Sequence, residues 1–273
     1  MSRDSGPGPV PVDVLAFGAH PDDLELGCGG TLVALARRGY RFGLCDLTRG
    51  EAGTRGTPET RAGEALGSAA ILGAVFRVAL DLGDGALRTD RAAELEVIGV
   101  VRRARPRLVF APWESDRHPD HVRASRLVTE GAWYAGLKSL ATGERAHRPQ
   151  QVVYYPSSLI AAPTFLVDVT ATFETKLEAL RAYRSQFHEA GATGPETYVS
   201  TKGFWDGVAA RAQAFGRGIG VPFAEGFLSR VPPRIDDPVA AFEGFEPVSN
   251  QGNPGDDDAR ASSPRTPSAA ERE

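Results

Sequence analysis

Two short stretches concentrate the residues able to do chemistry. AHPDD places His20, Asp22 and Asp23 directly after the apolar run VDVLAFG, and HPDH places His118, Asp120 and His121 after RLVFA. Of the five histidines in the chain, three fall in these motifs, while His147 and His188 stand in ordinary polar surroundings. A single histidine in a loop is usually a solvated side chain, and an aspartate at a helix start usually caps free N–H groups. Two His-Pro-Asp sequences at equivalent places after a strand point instead to a shared metal centre. A catalytic zinc takes three ligands from imidazoles and carboxylates and keeps a position open for water. Here four or five groups compete for those places. A His-x-x-Asp or His-x-x-His spacing at the start of a helix aims its first and last members the same way. That selects His20 with Asp23 from the first motif, and leaves the second motif to give one ligand and one free imidazole.

Such a centre needs two loops at one edge of a sheet. Apolar, β-rich runs at 12–18, 41–47, 75–80, 107–111 and 151–155 alternate with amphipathic segments at 24–38, 58–72, 90–104 and 120–135. The alternation predicts an α/β fold: a Rossmann-like, doubly wound, mainly parallel sheet with helices on both faces. After 155 the pattern loosens into a short strand at 165–169 and helices at 172–186 and 203–217. Loops that follow parallel strands emerge together, and ligands bind there. The proline of each motif suits the first position of a helix. Motifs far apart in sequence therefore meet in space.

The 273 residues, 41% of them hydrophobic, suffice for one domain, expected over 12–245 after a flexible N-terminus at 1–11. Residues 246–273 carry six acids against Arg260, Arg265 and Arg272 and almost no large apolar side chain, so they read as a disordered acidic tail. The tail supplies most of the net charge of −4, and the near-neutral body offers no footprint for nucleic acid. With no apolar run long enough for a membrane span and no leader-like start, the chain is expected to be cytoplasmic. Cys28 and Cys45 are too few for a disulfide framework and read as packed thiols. GCGG (27–30) does not make a dinucleotide loop, because HPDDLEL separates it from the strand.

AHPDD followed by GCGGTL, together with HPDH after a later strand, resembles the zinc-dependent N-acetylglucosaminyl deacetylases of the LmbE/PIG-L family. Within that family the stretches AFGAHPDDLELGCGGTL, LTRGEAGTRGTPETRAGEA, DRHPDHVRASRLVTEGAWYAGL, YRSQF and IGVPFAEGF are most similar to the deacetylase of bacillithiol biosynthesis, which acts on N-acetylglucosaminyl-malate. The resemblance implies His20, Asp23 and His121 as metal ligands, Asp22 as general base and His118 as a second, positively charged catalytic imidazole. Asp120 is expected to orient His118. The resemblance implies zinc as the metal, and ferrous iron suits the same ligands. The metal would lower the pKa of its water and polarise the acetamide carbonyl. The family's sugar contacts map onto Glu51, Arg61 and Asp84, and Arg49, Arg55 and Arg184 are candidates for the malate carboxylates. Relatives acting on an inositol-linked substrate carry a tyrosine just before HPDH, where this chain has Asp116-Arg117. The expected partner is a small N-acetyl sugar conjugate, malate-linked or of another kind, and the family's hexamers imply a homo-oligomer.

Overall fold

The structure, a computed structural model, describes residues 8–159, 161–187 and 195–242. The tail expected at 246–273 and most of the 1–11 stretch lie outside the described residues. Met1–Asp236 is one compact unit. The chain from Asp237 onward is a second, whose described part holds a 3-10 turn at Ala240–Phe242.

In the first unit the strands are β1 (Val14–Gly18), β2 (Phe42–Asp46), β3 (Phe76–Ala79), β4 (Leu108–Pro112), β5 (Gln151–Tyr155), β6 (Phe165–Asp168) and β7 (Ala224–Ser229). The helices are α1 (Asp23–Arg37), α2 (Pro58–Leu72), α3 (Arg91–Ala104), α4 (Pro119–Tyr134), α5 (Phe173–Arg181) and α6 (Lys202–Arg217). The strands lie in the order β3-β2-β1-β4-β5-β7-β6. β1 to β5 are parallel, and β7 runs antiparallel to both β5 and β6. The expected α/β architecture is therefore present, with an antiparallel end.

Side chains alternate across each strand, so β1 sends Leu15 and Phe17 to one layer and Val14 and Ala16 to the other. The first layer is closed by Val97, Ile98 and Val101 of α3 with Ala124, Leu127 and Val128 of α4. The second is closed by Leu24, Cys28 and Leu32 of α1, Ala69 and Leu72 of α2 and Ala179 of α5. Each fully buried Leu or Phe contributes roughly 1.5–3 kcal/mol. Both cysteines are buried and free, as packed thiols should be.

Two expectations shift. The helix foreseen at 172–186 ends at Arg181, because Glu64 takes the amide and the hydroxyl of Ser185, both at 2.7 Å. AEGFLS was not foreseen as a strand, and β7 buries Glu225 within it. That carboxylate accepts from Gly30 N at 3.0 Å, Thr31 N at 2.7 Å and Lys176 Nζ at 2.6 Å. The partners lie on α1 and α5, which is why an acid can sit in the core.

From β1 the chain moves outward to β2 and β3, then crosses back to β4 on the other side of β1. The loops after β1 and β4 diverge at this switch point and leave a crevice between them.

Candidate active site

Both His-Pro-Asp motifs open onto that crevice. Pro119 is the first residue of α4, and His118 caps it: its Nδ1 accepts from Asp120 N at 3.2 Å. The start of α1 differs. Asp22 precedes it with φ 107°, a left-handed conformation that costs a non-glycine residue of order 1–3 kcal/mol, and its side chain caps nothing. The ordinary reading of Asp22 as a helix cap therefore fails. Its neighbour Asp23 accepts from His20 N at 2.9 Å.

The three imidazoles converge. Ring centroids of His20 and His118 lie 4.7 Å apart, those of His118 and His121 4.8 Å, and those of His20 and His121 5.4 Å. One ring nitrogen from each comes within 4.8 Å of the others. Asp23 stands against two of them, Oδ2 at 3.5 Å from His20 Nδ1 and Oδ1 at 3.2 Å from His121 Nε2. The opposite nitrogen of each of these rings faces another carboxylate. His20 Nε2 has Asp84 Oδ1 at 3.2 Å and Asp120 Oδ2 at 3.5 Å, and His121 Nδ1 has Asp116 Oδ1 at 3.1 Å. A ligand nitrogen turned inward with a carboxylate behind the ring is how proteins hold histidine on a metal. Ligand atoms of His20, His118 and His121 converge in one group, and those of His20, Asp84 and Asp120 in another. With Asp23 against His20 and His121, such imidazole and carboxylate sets could hold a divalent cation that prefers nitrogen and oxygen ligands.

Asp116 is the member of this arrangement that the sequence did not reveal. It also accepts from His118 N at 2.8 Å and Ser158 N at 2.7 Å, tying the loop after β4 to the one after β5. An acid two residues before HPDH is its only signal in the sequence. Asp120 behaves unlike the expectation too. Its carboxylate accepts from Gly85 N at 2.7 Å and Leu87 N at 3.1 Å, so it fastens the 83–88 loop and backs His20, and it touches His118 only through its own amide.

Charge follows geometry. Burial pushes the Asp22 carboxyl up to about 7, against the pull of the Arg61 guanidinium. Asp23 is held well below the usual carboxylate range: burial opposes this, but the charges of His121 and His20 prevail. For His121 burial works downward, yet Asp23 and Asp116 lift it to about 9. His118 goes the other way, held below the ordinary histidine range by burial and by the charges of His20 and His121. Its Nδ1 accepts from the Asp120 amide, so a proton on the ring belongs at Nε2.

The remaining candidates divide. Arg61 is buried and donates to Gly50 O at 3.0 Å, Pro21 O at 2.7 Å and Asp22 Oδ2 at 3.3 Å, so it locks Asp22 and its loop. Glu51 accepts from Asp84 N at 2.7 Å, and Asp84 returns the contact by accepting from Ala52 N at 2.9 Å. These two join the loops after β2 and β3 over His20. Arg55 lies away from the imidazoles, on Ser185 O and Pro195 O at 2.7 and 3.0 Å. Arg184 lines an open depression between α2 and α5, and Arg49 faces the exposed Glu59. The glycines of GCGG serve packing: a Cβ on Gly27 would meet the Tyr155 ring at 2.1 Å.

The family described as PIG-L: GlcNAc-PI de-N-acetylase matches residues 15–132, a span that holds both motifs. The diacetylchitobiose deacetylase of Thermococcus kodakarensis is 35% identical over 191 residues, covering 64% of this chain and 70% of that one. The chain belongs to the PIG-L/LmbE family. A solved relative, a conserved protein from Thermus thermophilus, shares 39% identity at a TM-score of 0.75, over 82% of this chain and 97% of that one. The PIG-L/LmbE likeness also reaches the 4-oxalmesaconate hydratase of Pseudomonas putida, 27% identical over 198 residues, 64% of this chain and 74% of that one. Family membership alone thus spans two reactions, and the site must separate them.

Proposed function

We propose that this PIG-L/LmbE protein removes acetate from an N-acetylglucosaminyl conjugate by metal-assisted amide hydrolysis, with N-acetylglucosaminyl-malate as its substrate. The observation that carries the proposal is Asp22, a carboxyl with a pKa of about 7 in a left-handed conformation, beside the imidazole cluster. A base poised near neutrality suits proton transfer from water.

His20, Asp23 and His121 would hold zinc or ferrous iron, which supplies Lewis acidity and a water of lowered pKa. Asp22 takes the proton of the attacking water. Asp22 then returns that proton to the leaving amine, while His118 Nε2 donates a hydrogen bond to the acetamide oxygen as charge develops on it. Arg61 keeps Asp22 in place, while Glu51 and Asp84 hold the rim of the pocket that takes the sugar.

Support for the malate conjugate comes from the sequence stretches that resemble the bacillithiol-type deacetylase. The relation to the Thermococcus enzyme favours a second substrate of the same class, diacetylchitobiose. Amine release should be followed with the zinc- or iron-loaded protein on both conjugates and on free N-acetylglucosamine. Fast release from the malate conjugate is the expected result. Release from diacetylchitobiose alone would replace the substrate, and no release from any of them with metal bound would sink the malate-conjugate assignment and turn the search to other acetylated sugar conjugates.

A further inference from the structure

Of the arginines foreseen as carboxylate readers, Arg55 is spent on backbone carbonyls, Arg49 faces Glu59, and Arg184 lies in the α2/α5 depression. Arg117 is different. It is exposed, it immediately precedes His118, and among the described residues no acceptor takes its guanidinium. Its neighbour Asp116 does not neutralise it, because that carboxylate is committed to His121, His118 N and Ser158 N. The guanidinium carbon lies instead 4.4 Å from the centre of the Tyr198 ring.

Tyr198 is a prepared platform. It opens the 3-10 turn Tyr198–Ser200, in which Thr197 and Ser200 brace one another: Thr197 N donates to Ser200 Oγ at 2.9 Å and Ser200 N to Thr197 O at 3.0 Å. Phe204 meets the ring edge-on at 5.2 Å. Even so the tyrosine is 61% exposed. A cation resting on an aromatic face keeps its in-plane N–H groups free for an anion.

Resting on the deacetylase reading for its substrate, we propose that Arg117, laid on Tyr198, is the arm that recognises a carboxylate on the aglycone. On a 2-acetamido sugar the anomeric carbon is bonded to the carbon that bears the acetamide. With the acetamide at the imidazole cluster, the aglycone leaves the ring beside the residues flanking that cluster, and Arg117 adjoins His118. A guanidinium meets a carboxylate through paired, charge-assisted hydrogen bonds. Specificity for an acidic conjugate is therefore placed in the loop after β4.

The test compares metal-loaded wild type, Arg117→Ala, Tyr198→Ala and Tyr198→Phe on N-acetylglucosaminyl-malate and on the neutral methyl N-acetylglucosaminide. For Arg117→Ala the ratio of kcat/KM values, malate conjugate over neutral glycoside, should fall about 10- to 100-fold, chiefly through KM. Tyr198→Ala should lower the same ratio less, and Tyr198→Phe, which keeps the ring, should restore it. An unchanged ratio in Arg117→Ala overturns the proposal. Calorimetric binding of glucosaminyl-malate separates the two readings. If wild type turns over neither substrate but binds this compound in an Arg117-dependent way, the arm stands and the reaction assignment falls. If binding is absent, or indifferent to Arg117, the arm itself is refuted.

Discussion

At φ 107° few residues other than glycine rest, and Asp22 rests there buried, with its carboxyl lifted to about 7 and Arg61 at 3.3 Å. Strain of this kind persists only where the surroundings enforce it. Asp22→Asn keeps the shape and removes the base, so kcat should fall at least about 100-fold while the metal content of the purified protein stays constant. A kcat within a few-fold of wild type would remove Asp22 from the mechanism. Asp116→Asn tests the ring support behind His121. Metal affinity, measured by chelator competition, should drop roughly 10- to 100-fold with the far-ultraviolet spectrum unchanged. At this scale the sequence was informative where residue type and short spacing sufficed: histidines are few, and HPDD and HPDH gather them with acids. It was silent where a role depends on which loop folds against which. Nothing local says that Asp116 will reach His121, or that Asp120 will turn toward Gly85 and Leu87.

Helix α1 carries Asp23 and must lie close on the sheet, and its glycines allow it. Gly27→Ala would drive a methyl into the Tyr155 ring, whose hydroxyl is itself fixed on Phe17 O at 2.8 Å. Overpacking there should cost about 1–3 kcal/mol in denaturant unfolding and should weaken metal binding by displacing the helix. Gly63→Ala on the exposed side of α2, where a Cβ meets nothing within 4 Å, should instead add about 0.5–1 kcal/mol. Parallel strands and their crossover helices were legible because near-continuous apolar runs alternate with amphipathic ones. β7 was not, since Glu225 and Gly226 interrupt its pattern, and only the long-range pairing with Lys176 and the amides of α1 explains an acid at that place.

For the whole molecule the imidazole cluster is also a term in stability. His121, near 9 when folded against an ordinary 6.5, stabilises the metal-free protein fully below 6.5, and that contribution is lost as pH rises through 9. Asp22, raised to about 7, has its own adverse effect complete by that pH, so from 7 to 9 the dependence belongs to His121 together with His20, which its carboxylate neighbours also hold well above the ordinary histidine range. The Tm of the chelator-treated protein should fall across that interval. Metal should raise the Tm by binding the folded state and should flatten the decline. A metal-free Tm that held steady from pH 7 to 9 would contradict this. Another consequence belongs to synthesis. The amides of Gly30 and Thr31, in the first helix, are satisfied by Glu225 of the last strand. A growing chain that has already made both His-Pro-Asp motifs still lacks this clasp. Ribosome-held fragments stopped before β7 should therefore expose α1 to protease, and release of the final strand would be the moment at which the beginning of the protein becomes rigid.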